Sequence, residues 1–174
     1  MVEICDVALE TLEVLKYFNT EFTSKISESF LNSLKELAKK SKLEVKIDAN
    51  KNQLTSLDMS RNSNLEYLSA YNNSLTSLVV SNNSKLERLF VYGNLLTSLK
   101  LPTVNGNKLE TLEAGDNKLT SLDVSKDTNL TFLAAGSNQL TGLDVSKNPN
   151  LTELRVYDNQ LTDLELPKEK GNKL

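Results

Sequence analysis

Nine side chains in this sequence suit molecular recognition: Tyr67, Tyr71, Arg88, Phe90, Tyr92, Glu113, Phe132, Arg155 and Tyr157. Aromatic rings and guanidinium groups grouped on an open surface have the composition of a binding hot spot. Each covered ring removes about 150–250 Å² from water. Their spacing is regular. In "LEYLSAYNN" the rings are third and seventh from the leading leucine; in "LERLFVYGN" Arg88, Phe90 and Tyr92 are third, fifth and seventh. Every aromatic residue after residue 43 falls in these odd columns. A plain preference of aromatics for strands, with neighbours stacking across a ladder, would place rings there too.

Other chemistry has little to work with. The chain has no His, no Trp and one Cys, Cys5. Without His the commonest general base and metal ligand are gone, and a lone Cys lacks the partner that usually activates a thiol. Asp58, Asp123 and Asp144 recur in register, but a calcium ladder needs several oxygens converging on each ion. They read as solvated outer-face carboxylates. The expectation is no catalytic residues, no metal and no cofactor. A net charge of −3 and a pI near 5.2 give no basic surface for nucleic acid. No apolar run is long enough for membrane insertion. The opening "MVEICDVALE" lacks a basic stretch followed by an apolar core, so it does not read as a signal peptide. Location stays open between a secreted or surface protein whose leader is absent from this chain and a cytoplasmic one. The sequons at 72–74, 82–84, 129–131 and 150–152 follow from the repeat pattern and say little about glycosylation.

The elements that position the nine side chains are repeats. Units begin near Glu44 and at Leu65, Leu86, Leu109, Leu130 and Leu151, with lengths of 21, 21, 23, 21, 21 and 23 residues. The two longer units end in "LPTVNGNK" and "LPKEKGNK", so residues 44–108 and 109–173 read as two copies of a 65-residue block. Each unit follows L-x-x-L-x-(A/V)-x-x-N-x-L, with Asn52, Asn73, Asn94, Asn117, Asn138 and Asn159 in one column. Alternation about the second leucine puts Leu and Ala or Val on one face of a short strand. Stacked coils bury that face in a continuous interior. The Asn follows the strand, where its amide can satisfy turning backbone and link coil to coil. Leucine and asparagine columns are scaffold, and the "LTSL" residues with Ser60, Ser81, Ser125 and Ser146 are turn and capping residues.

This grid resembles the leucine-rich repeat family over about residues 44–174. The nested unit is similar to the bacterial 21-residue IRREKO-type, internalin-like class. It departs from that class at the sixth column, which holds Ala49, Ala70, Val91, Ala114, Ala135 and Val156 where Leu or Cys is common. Smaller residues there predict a flatter or narrower coil. The resemblance implies an α/β solenoid: a short right-handed array with a parallel concave β-sheet and the odd columns on the concave face. It also implies a bacterial surface role in adhesion or host interaction, which is analogy at fold level.

Residues 1–43 carry no grid. Ala8, Leu12 and Leu15, then Ile26, Phe30, Leu34 and Leu37, fall on helical faces. Thr20, Thr23 and Ser24 between them suit capping. The expectation is an N-terminal helical cap over the first coil. At the other end "GNKL" at 171–174 repeats 106–109, where the chain runs on. No C-terminal cap is evident, which leaves room for self-association through that coil.

With strands about 4.8 Å apart, Tyr67, Tyr71, Arg88, Phe90 and Tyr92 should form one patch. Phe132, Arg155 and Tyr157 should form a second, roughly 10 Å away. Between them lies a short acidic coil, Thr111, Glu113, Gly115 and Asp116. The expected function is non-catalytic binding of a protein or glycan on the aromatic face. A structural spacer that stacks through its uncapped end is the reading from another class.

Overall fold

The computed structural model describes residues 45–168 and residue 174. The expected helical cap, residues 1–43, lies outside the described residues. Ten strands are described: β1 (Val45–Asp48), β2 (Leu65–Ser69), β3 (Ser77–Val79), β4 (Arg88–Phe90), β5 (Ser98–Lys100), β6 (Thr111–Glu113), β7 (Phe132–Ala134), β8 (Gly142–Asp144), β9 (Glu153–Arg155) and β10 (Asp163–Glu165). Six of them form one parallel sheet in the order β1-β2-β4-β6-β7-β9, one strand per coil. Two smaller parallel pairs, β3 with β5 and β8 with β10, lie in the second halves of their coils. The result is a β-solenoid of about six turns.

The register explains why the strands can be only three residues long. Leu68, Leu89, Leu112, Leu133 and Leu154 sit directly opposite one another along the sheet. The first four are fully buried. Leucines at positions one and four, with Ala or Val at six, make one apolar column system running from Ile47 to Leu151. Each coil is covered by its neighbours, so burial comes from stacking and not from strand length. Removing one such side chain, as in Leu→Ala, costs about 2.7–5 kcal/mol in a core that cannot collapse.

Past the strands, two columns hold the turn. Column eight takes a left-handed backbone in every described coil, at Lys51, Asn72, Gly93, Asp116, Ser137 and Asp158, with φ between 50° and 65°. Asn, Asp and Gly tolerate that region best. At Gly93 a Cβ would stand 2.2 Å from Asn72 Oδ1, so a larger residue there would have to displace the Asn72 side chain. Column nine is the asparagine ladder. Asn117 Nδ2 donates to Val91 O, Ala114 O and Gly115 O at 3.0, 3.2 and 2.9 Å, while its Oδ1 accepts from Leu96 N at 2.9 Å. Asn73, Asn94, Asn138 and Asn159 repeat this geometry. Each amide therefore closes its own turn and clips the preceding coil.

A second ladder runs through the turns that lead into the next coil, at Asn62, Asn83, Asn107, Asp127 and Asn148, all buried. Asn83 Nδ2 donates to Met59 O and Asn62 O at 3.0 and 2.7 Å, and Asn148 Nδ2 to Val124 O and Asp127 O at 2.9 Å each. Asp127 breaks the series. Its Oδ1 accepts from Asn107 Nδ2 at 2.9 Å, and its Oδ2 is buried without a partner. Burial pushes this carboxyl up to about 7, with Asp123 adding to the rise and the Asn107 bond opposing it.

The recurring aspartates have a local task. Asp58, Asp123 and Asp144 each accept from the backbone N–H two residues on, at Ser60, Ser125 and Ser146, at 2.9, 2.9 and 2.8 Å. These are Asx turns. The bonds to Ser125 hold Asp123 below the usual carboxylate range, and those to Ser146 do the same for Asp144.

Candidate functional site

The sheet's outer face is built from positions three, five and seven of each coil. Alternation decides this: in β4 the middle residue, Leu89, is buried, while Arg88 is exposed and Phe90 is half-buried. Register then brings the outer residues together. Tyr67 lies opposite Arg88, and Ser69 opposite Phe90. Arg88 lies opposite Thr111, and Phe90 opposite Glu113. Phe132 lies opposite Glu153, and Ala134 opposite Arg155.

The rings pair as this spacing requires. Tyr71 and Tyr92 stack with centroids 4.8 Å apart and planes 7° from parallel. Tyr67 and Phe90 meet at 5.4 Å with a 42° tilt. Burial is the first cause, and Tyr71 and Glu113 further causes, that push the Tyr92 hydroxyl up. Two cations that the repeat pattern alone did not single out extend the patch. Lys46 Nζ sits 5.6 Å from the Tyr67 centroid, and Lys51 Nζ 6.0 Å from that of Tyr71, both within cation–π range. Their columns, three and eight of the first coil, were the available signal.

The other group is organised around Arg155. Its guanidinium lies 5.2 Å from the Phe132 centroid and is paired with Glu153 at 2.6 Å. Both partners are about half exposed, so this pair contributes little to stability. Tyr157 is 62% exposed. Its ring end occupies the space where a Gly136 side chain would begin, 2.7 Å from an ideal Cβ. Tyr157 is thus laid back over the neighbouring coil.

Between the groups the face is low. Column seven carries Gly115 and Gly136, and column five carries Ala134 beside Glu113. Glu113 is half-buried. Ser69 and Asn50 in the first two coils are tied instead to each other, Ser69 Oγ donating to Asn50 Oδ1 at 2.7 Å. Among the described residues no group of three or more His, Cys, Asp or Glu could hold a metal ion. No described helix is long and apolar enough to cross a membrane.

The fold is similar to that of an internalin, InlF, from Listeria monocytogenes. Sequence identity is 25% and the TM-score 0.59, over 76% of this chain and 44% of that one. It is similar as well to the functional domain of InlJ from Listeria monocytogenes, at 29% identity and a TM-score of 0.52, over 72% of this chain and 32% of that one. The array is a leucine-rich repeat solenoid of the internalin-like class. The chain spans less than half the length of either structure. No protein-family model matches the sequence, and no curated protein does. The InlJ domain includes a cysteine ladder. With one cysteine in its whole sequence, this internalin-like chain has no such ladder, and its described cross-coil side-chain bonds include those of Asn amides and Thr hydroxyls.

Proposed function

We propose that the chain is a non-catalytic recognition module that binds a protein ligand on the outer face of its six-stranded sheet. One observation carries the reading. All six rings after residue 43 fall in columns three, five and seven, between the buried leucine columns; Tyr157 is exposed and the other five are half-buried. Rings interleaved with Arg88, Glu113 and the Arg155–Glu153 pair give a mixed apolar and charged surface, as protein hot spots have. The internalin-like class suggests a surface or host-interaction role, and we adopt that setting as part of the proposal.

A displayed random-peptide library tests it. Selection on the wild-type protein, with counter-selection on a folded Phe90→Ser/Tyr92→Ser double variant, should return peptides that bind only the wild type. Peptides that bind both proteins equally would contradict the reading. Neutral oligosaccharides bound in the same ring-dependent way, with no peptide recovered, would move the ligand class from protein to glycan.

A further inference from the structure

The low ground between the two aromatic groups has a definite chemistry. Column seven reads Tyr71, Tyr92, Gly115, Gly136, Tyr157 from the second coil to the sixth. Tyr71 covers one face of the Tyr92 ring. The other face looks toward Gly115, where there is no side chain. An ideal Cβ on Gly115 would meet only backbone, the nearest atom being Gly136 O at 3.2 Å. The far side of the gap is closed by the Tyr157 ring lying across Gly136. Tyr92 and Tyr157 are three coils apart, roughly 14.4 Å between backbones, and because the Tyr157 ring lies over Gly136 the open slot between them is the part over Gly115.

Glu113 stands at this slot. It is two residues before Gly115 on the same strand, with Phe90 as its neighbour on one side and Ala134 on the other. Among the described residues its carboxylate has no ion-pair partner. The nearest outer-face cation, Arg88, is exposed on the adjacent strand opposite Thr111, and among the described residues no ion pair joins it to Glu113; Arg155 is held by Glu153 and Phe132. Asp116, exposed and next to Gly115, adds a second negative charge. A half-buried carboxylate beside an open ring face is complementary to a flat cation. A guanidinium fits better than an ammonium, because it stacks on the ring and offers a planar fork to the carboxylate.

We infer that the slot over Gly115, between Tyr92 and Tyr157 with Glu113 at its edge, receives an arginine side chain of the protein partner. The inference rests on the recognition reading and names the group that the partner must present.

The probe is N-acetyl-L-arginine amide, compared with its neutral citrulline counterpart, titrated into the 174-residue chain and followed by amide and tyrosine-ring NMR shifts. The arginine probe should shift Gly115, Gly136 and Tyr92 saturably. The citrulline probe, or the arginine probe on Glu113→Gln, should bind at least about fivefold to tenfold more weakly. A second variant, Gly115→Val, fills the slot while keeping the charge and should abolish the shifts. Equal responses to arginine and citrulline, or an unchanged response in Glu113→Gln, would overturn the inference. Such a result would leave the recognition reading intact, since that is judged by peptide loss in the Phe90→Ser/Tyr92→Ser variant. Loss of that reading would not disturb the direct titration at Glu113.

Discussion

Asp127 occupies a ladder in which Asn83 and Asn148 donate to carbonyls of the preceding coil. An ionised carboxylate donates nothing, and its Oδ2 is buried without a partner. Its carboxyl is raised from 3.8 to about 7 in the folded protein. An acid that binds its proton more tightly when folded favours the native state at low pH. That advantage is fully present below about pH 4, the ordinary carboxylate value, and is lost as pH rises toward the folded value. Urea unfolding across that range should show Asp127→Asn removing most of the decline. The variant should also be more stable near neutrality by roughly 2–4 kcal/mol, the ceiling being about 1.36 kcal/mol for each tenfold tightening of proton binding. An unchanged profile in the variant would show that Asp127 is hydrated or otherwise paired. Asp123 and Asp144 have the opposite sign: their bonds to Ser125 and Ser146 hold them low, so their contribution fades as pH falls.

At the scale of the element, a coil consists of a three-residue strand, a left-handed residue and an amide clip. The strand supplies facing and the clip supplies cohesion. Asn117→Ala deletes three donated bonds and leaves the buried Leu96 N–H without its acceptor. Each unsatisfied buried group costs about 1–3 kcal/mol. The variant should therefore lose about 3 kcal/mol or more, read by chemical denaturation, whereas Asn52→Ala at the first described coil should lose less. Equal losses would mean that the ladder contributes turn geometry only. The paired rings belong to this scale too: Tyr71 on Tyr92 follows from strand spacing, because residues one coil apart in one column have nowhere else to go.

Much of the array was legible in the sequence, and the reasons are local. Leu68, Leu89 and Leu112 share a column because a stacked coil repeats its hydrophobic grid, so one short strand per stacked coil followed from spacing, and the parallel concave sheet from the resemblance to leucine-rich repeats. Asn117 and its equivalents were readable as turn amides for the same reason. The second ladder was not. Asn107 is displaced by the longer third unit, and Asp127 replaces an amide, so the column looks broken in one dimension and is continuous in three. The short acidic coil between the two patches was legible, but its closure into a slot was not. Gly115 is unremarkable until register sets it between Tyr92 and a Tyr157 that leans over Gly136. The role of Glu113 depends on what fails to reach it, and that is a property of packing.

Across the whole molecule the outer face is electrically graded. Lys46, Lys51 and Arg88 outnumber Asp48 on the first three coils, and Glu113, Asp116, Glu153 and Asp158 outnumber Arg155 on the last three. A ligand steered by such a surface meets a basic end and an acidic end, which sets its orientation more than its affinity. The account depends on the facing of adjacent residues within one strand, and unfolding free energies of Leu89→Ala and Phe90→Ser measured side by side test it most directly. Leu89 is fully buried and Phe90 is on the outer face. The account predicts a loss of about 2.7–5 kcal/mol for Leu89→Ala and about 1 kcal/mol for Phe90→Ser, the lost ring pairing with Tyr67. A loss at Phe90 equal to that at Leu89 would show the ring to be core, and the recognition face would not exist.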